Sequence, residues 1–313
     1  MSATPTEAAT KRLAIAATVG DELRGGAGVA DVWVEGALAC GFAHQRSDID
    51  IRLVVADRGR FGRHSRFSRI VDGTRVDVVT YDHADLAAIR SLLGSFDVGL
   101  SHLDTFGAVR ANIEGLTRYM TAVRIPGPAV AVSSAAERAV YRQWAVAHQA
   151  EWIGSLAEDL VGCAEASMLD SAAVVWRQIV VHAALAEIAA AGMPLLGEKW
   201  LPILQARLGH RPVSTRFRDI DHGGFATCHL EALFRQLQVV MAEILLSVWP
   251  VNATPSPCPA RVRGPGWTPH RYSSTWLLRR GDEHVPITGG QMIDWARSLG
   301  AGEVSASEGA ECG

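Results

Sequence analysis

Strand-forming sequence is concentrated in the first third of this 313-residue chain, and long alanine-rich helical text follows it. Residues 29–34, 49–55 and 75–81 are each rich in β-branched side chains and bounded by Gly, Asp or Ser, as short strands are. Before them, residues 7–24 carry Leu13, Ile15, Ala16, Val19 and Leu23 at helical spacing and stop at Gly25-Gly26. After them, residues 83–93 return to a helical pattern. A chain with three short strands grouped at one end, then a long run of helices, points to an α+β fold with a separate helical domain.

The change falls near Ser133. Ser134 and Glu137 have the spacing of a capping box, in which hydroxyl and carboxylate satisfy each other's backbone amides. Helices are expected at about 135–167, 170–191, 198–208 and 229–248. Prolines at 250, 255, 257, 259, 265 and 269 then impose a linker, because proline removes a donor and fixes φ. Residues 273–288 suit a hairpin turning at Arg280–Glu283, and 291–299 a last short helix. The resulting division is 1–128, 129–249 (helical, substrate-binding), a linker at 250–269, a small α/β module at 270–300 and a tail at 301–313.

At 313 residues the chain is long enough for two domains and for cores that need no staples. With 48% apolar and 20% charged residues it belongs with globular proteins. Thirty basic against 33 acidic residues exclude a generalised polyanion binder, so nucleic acid is not an expected partner. The five cysteines are scattered, with no CxxC pair, which fits a reducing compartment. No signal peptide and no apolar run of membrane-spanning length is read, so the expected location is cytoplasmic.

The chemistry concentrates between Gly36 and Val79. A strand runs into Gly36, a second glycine stands at 41, and Ser47-Asp48-Ile49-Asp50 opens the next strand. Asp48 and Asp50 are two residues apart, so on a strand they share a face. Such carboxylates repel each other unless a hard cation lies between them, and oxygen-only ligation suits Mg²⁺. Asp77, flanked by valines on the following strand, adds a third acid. Three acids beside a glycine-bounded turn suit metal-assisted phosphoryl or nucleotidyl transfer.

These residues resemble the DNA polymerase β-like nucleotidyltransferase superfamily, and within it the small-molecule branch of aminoglycoside- and lincosamide-type and minimal nucleotidyltransferases. The resemblance implies that Asp48 and Asp50 bind one or two Mg²⁺ ions. It implies that Asp77 is a metal ligand or general base, and that the turn at Gly36 and Ala37 meets the triphosphate. The family serine is Ala37 here; Ser47 offers a nearby hydroxyl, and Arg46 joins the expected nucleotide-binding set. The implied reaction moves a nucleoside monophosphate, AMP from ATP or another NTP, onto a hydroxyl of an antibiotic or natural-product intermediate and releases pyrophosphate. A protein or tRNA acceptor, or a catalytically weak nucleotide-binding scaffold, are the alternatives. A homodimer is compatible with all three.

Outside that segment, Arg58, Arg60, Arg63, His64, Arg66 and Arg69 read as a basic loop able to clamp phosphates. Glu151 and Glu158 share a helix face and are candidate general bases. Lys199, in Gly197-Glu198-Lys199-Trp200, is a candidate phosphate contact.

Overall fold

The computed structural model describes residues 6–56, 66–97, 103–127, 130–208 and 230–300, with the backbone alone for 103–111. They form two compact units. The first holds the described residues up to Phe96 together with Ala111–Tyr141, and the second holds the rest. The α+β class, with an N-terminal sheet and helices followed by a helical region, is as expected. Residues 130–141 belong to the first unit, and 268–300 belong with the helices of the second.

In the first unit, α1 (Glu7–Arg24) starts at Thr6, whose side chain accepts a bond from the Ala9 amide. Strands β1 (Val29–Val34), β2 (Ile49–Val55), β3 (Arg66–Val71), β4 (Thr74–Tyr81) and β5 (Val123–Arg124) form one mixed sheet in the order β3-β4-β2-β1-β5. Only the β2–β4 pair is parallel. Alternation divides the two faces. Val32, Val34, Ile49, Ile51, Leu53, Val76 and Val78 pack with Ile15, Ala16 and Val19 of α1 to form the core. Each such buried aliphatic side chain contributes about 1.5–3 kcal/mol.

The opposite face carries Trp33, Asp50, Arg52, Asp77 and Tyr81. Besides α1, this unit includes α2 (Gly36–Ala39), α3 (His83–Leu92) and the C-terminal half of α4 (Leu103–Thr121). Tyr119 of α4 is buried and meets Trp33 edge-on, with ring centroids 6.0 Å apart.

Two elements here escape the periodicity. β3 lies where a basic loop was expected, and the hairpin signal that marks it is Asp72-Gly73. Both residues have positive φ (49° and 70°), as a tight two-residue turn between twisted strands requires. Arg66 and Arg69 are therefore strand residues, and Arg69 pairs with Glu22 of α1 at 2.6 Å. Arg58, Arg60, Arg63 and His64 lie outside the described residues. The other element is α4, whose mixed polar text gave no clear helical stripe.

The second unit contains α5 (Ala135–Glu165) from Arg142 onward, α6 (Leu169–Ala190), α7 (Leu201–Arg207) and α8 (Leu230–Val248). The Ser134–Glu137 capping box forms at the head of α5 as expected (3.1 and 2.7 Å). By length and composition α6 is apolar enough to cross a membrane, contrary to the reading that no segment approaches that length. Its residues Ala183–Ala190 are all buried, so the apolarity of its C-terminal part serves packing inside the protein. A meander of β6 (Thr268–Arg271), β7 (Trp276–Arg280) and β8 (Glu283–Ile287), followed by α9 (Gly289–Gly300), packs against α8. Pro269 sits inside β6, within the expected linker, because β6 is an edge strand and edge strands tolerate a missing donor.

Candidate functional site: three acids and two arginines

The acids meet because β2 and β4 are parallel neighbours in a fixed register: Asp50 is the direct partner of Asp77. Asp48 precedes β2 and is exposed, whereas the Asp50 side chain is 31% exposed and that of Asp77 only 5%. The turn that carries Asp48 is anchored from α1. Buried Arg12 donates to the carbonyls of Ser47 (2.6 Å) and Gln45 (2.5 Å). Ser47 Oγ accepts the His44 amide at 2.9 Å, so its hydroxyl braces this turn. Arg46 is exposed, and its amide donates to His44 Nδ1.

Gly36 lies directly beside the acids. Its φ is +71°, a conformation glycine adopts without strain, and a Cβ there would stand 3.5 Å from Asp50 Oδ2. The Gly36 amide donates to Thr121 Oγ1 of α4 (2.8 Å), so this group of the expected phosphate turn is already engaged. Ala37 lies in the single turn α2.

Both inner acids hold arginines. Arg118 of α4 reaches Asp50 Oδ1 at 3.3 Å and Glu35 Oε1 at 3.1 Å through the same nitrogen, while Glu114 takes its other side at 3.0 Å. Glu35 is buried and also grips Arg52 (2.6 and 3.1 Å), whose guanidinium lies 3.8 Å over the Tyr81 ring. Asp77 accepts from the Ser68 hydroxyl of β3 and from Arg75 Nε at 2.9 Å.

The electrostatics separate the two acids. Burial pushes the Asp50 carboxyl above its usual pKa; Arg118 opposes this, and Asp48 and Glu35 add to it. At Asp77 burial pushes upward too, but the bonds from Ser68 and Arg75 outweigh it and hold the carboxyl below its usual value. On Arg118, burial favours the neutral form, yet Asp50 and Glu35 overcome it and raise the pKa.

Asp48 and Asp50 fit a hard divalent cation: both offer oxygen, they are two residues apart, and the charge of Asp48 disfavours ionisation of Asp50, a strain a cation relieves. At Asp77, Ser68 and Arg75 both engage Oδ1. Among the described residues no three His, Cys, Asp or Glu side chains are grouped as a metal site. On the same sheet face, a cavity of about 410 Å³ is lined by Tyr81, Ile89, Leu92, Asn112 and Leu116.

The remaining candidates belong to the second unit. Glu151 of α5 accepts from Tyr272 Oη (2.7 Å) and Arg279 (3.3 Å), and His270 Nδ1 lies 3.0 Å away. Glu158 is bonded to Arg279 as well. Against the burial that would raise it, His270, Tyr272 and Arg279 depress the Glu151 pKa to about 2. Lys199 Nζ lies 5.5 Å from the centre of the Trp200 ring.

Arg75 was legible in the sequence, since it stands two residues before Asp77 and shares its strand face. Arg118, Glu35 and Thr121 were not: each acts through a partner at least 15 residues away.

No protein-family model matches the chain, and no curated protein matches it. Among solved structures the chain is similar to the crystal structure of a nucleotidyltransferase-like protein from Exiguobacterium sibiricum 255-15, with 13% sequence identity, 74% of each chain covered and a TM-score of 0.39.

Proposed function

We propose that the first unit is the catalytic unit of a nucleotidyltransferase that moves AMP from ATP onto a hydroxyl of a small molecule. The observation that carries the reading is the register pairing of Asp50 with Asp77 on adjacent parallel strands, with Asp48 one residue upstream of β2 and Gly36 against Asp50. In the reaction the acceptor oxygen bonds to the α-phosphorus, the bond from that phosphorus to the pyrophosphate oxygen breaks, and the hydroxyl proton passes to a base or to water. Mg²⁺, held by Asp48 and Asp50, would neutralise the triphosphate and polarise the α-phosphate.

This chain's own residues orient the three acids. Arg12 fixes the turn before Asp48, Arg118 and Glu35 flank Asp50, and Ser68 and Arg75 hold Asp77. The cavity beside Tyr81 is of a size that takes small ligands. Tyr81 lies four residues beyond Asp77, about 13 Å along β4. That distance suits a nucleoside or acceptor body extending from a phosphate centred at the acids. An acceptor of the antibiotic or natural-product class belongs to this proposal. Glu151, whose pKa lies at about 2, is a poor proton acceptor.

The test is thermal stabilisation by each of the four NTPs with and without Mg²⁺, followed by pyrophosphate release across an acceptor panel. A Mg²⁺-dependent shift with ATP that Asp50→Asn abolishes supports the reading. Absence of any shift with any nucleotide overturns it and leaves a nucleotide-free scaffold.

A further inference from the structure

We infer that Arg118 is the built-in counter-cation of the acid site: it occupies Asp50 while no divalent cation is bound and turns to the triphosphate when Asp50 is taken. The inference rests on the proposed nucleotidyl-transfer reading of the same acids.

The geometry supports exchange rather than permanent pairing. One nitrogen of Arg118 is shared between Asp50 and Glu35, so its hold on Asp50 is one arm of a branched contact. Glu35 does not need Arg118 to stay paired, because Arg52 grips both of its oxygens. The third partner, Glu114, is 78% exposed and restrains Arg118 weakly. With its side chain 32% exposed at the C-terminal end of α4, Arg118 faces the region where a triphosphate would lie beside Gly36.

Charge balance points the same way. Asp48, Asp50 and Asp77 bring three negative charges, and Arg118 and Arg75 supply two positive ones against them. Arg118 and a divalent cation therefore compete for the Asp50 carboxylate, where Arg118 holds Oδ1. Once a cation holds Asp50, Arg118 regains its donors, and a guanidinium fork matches phosphate oxygens. The consequence is a pair of opposite effects. Arg118 weakens the binding of a bare metal ion and strengthens the binding of the metal–nucleotide complex, so the site fills with both together rather than with metal alone.

The experiment measures Mn²⁺ affinity by electron paramagnetic resonance, and affinity for Mg²⁺ with α,β-methylene-ATP by calorimetry, in the full chain and in Arg118→Gln, Arg118→Lys and Asp50→Asn. Circular dichroism checks the fold of each variant. In Arg118→Gln, Mn²⁺ binding is expected to tighten about five- to tenfold, and binding of the Mg²⁺–nucleotide complex to weaken about tenfold. Should that variant not fold, Arg118→Lys, which keeps a charge but loses the fork, reads the same opposition with shifts of about two- to threefold. Unchanged or weaker Mn²⁺ binding in the arginine variants, with Asp50→Asn still abolishing it, overturns the counter-cation role and leaves the acid site standing. Failure of Mn²⁺ to bind both wild type and Arg118→Gln overturns the role and the proposed function together.

Discussion

Asp50 stands directly opposite Asp77 across the parallel strands β2 and β4, yet the two carboxylates are held by different arginines, Arg118 from α4 and Arg75 from β4 itself. The register brings the acids together, and the arginines keep them apart electrostatically. Burial raises the pKa of Asp50 in spite of Arg118, whereas the bonds from Ser68 and Arg75 outweigh burial and lower that of Asp77.

Because its surroundings disfavour an ionised Asp50, Asp50→Asn should stabilise the protein while abolishing the proposed transfer. Burial, Asp48 and Glu35 together outweigh Arg118. The gain is expected as a rise in Tm in the presence of a chelator. A fall in Tm would show that the Arg118 contact outweighs the repulsion.

Glu35→Ala should be among the most damaging single changes in the first unit. It leaves the Arg52 guanidinium, whose side chain is 4% exposed, without its carboxylate, and removes one anchor of Arg118. Breaking one side of a buried ion pair costs roughly 3–5 kcal/mol. Denaturant unfolding followed by tryptophan fluorescence measures it, and a loss below about 1 kcal/mol would contradict the assignment.

Glu151 gives the second unit a defined acid sensitivity. Its folded pKa of about 2 lies below its usual 4.5, so its contribution is fully present above 4.5 and is lost as the pH falls from there toward 2. The contribution is on the order of 3 kcal/mol. Unfolding midpoints measured between pH 2 and 6 should fall steeply in wild type and less steeply in Glu151→Gln. Parallel profiles would remove Glu151 from the cause.

Gly154 is where α5 admits the side chain of His270. A Cβ at that position would lie 2.9 Å and 3.1 Å from ring atoms of His270, a buried residue also bonded to Thr268. Gly154→Ala should therefore cost about 1–3 kcal/mol by overpacking. His270→Ala in the same chain should recover part of that loss. A purely additive double variant would place the strain elsewhere.

The acids themselves were readable because their signal is local: an Asp-x-Asp pair opening a β-branched strand, and a lone aspartate among valines on the next. The helices from residue 135, the Ser134–Glu137 cap and the C-terminal hairpin were readable for the same reason, since periodicity and capping are decided within a few residues. β3 had a local signal too, in Asp72-Gly73, but the run of arginines before it obscured the alternation.

What the sequence alone determined was the α+β class, the order of sheet and helices, and the identity of the three acids. Tertiary structure decided what those acids touch. Arg118 comes 68 positions after Asp50, and Thr121 comes 85 after Gly36. Glu151 and Glu158, which share a helix face as read, are tied to Arg279 more than 120 residues later. Contacts of that span depend on how the chain packs, and burial and charge at a carboxylate follow from the packed neighbours rather than from the residues beside it in the chain.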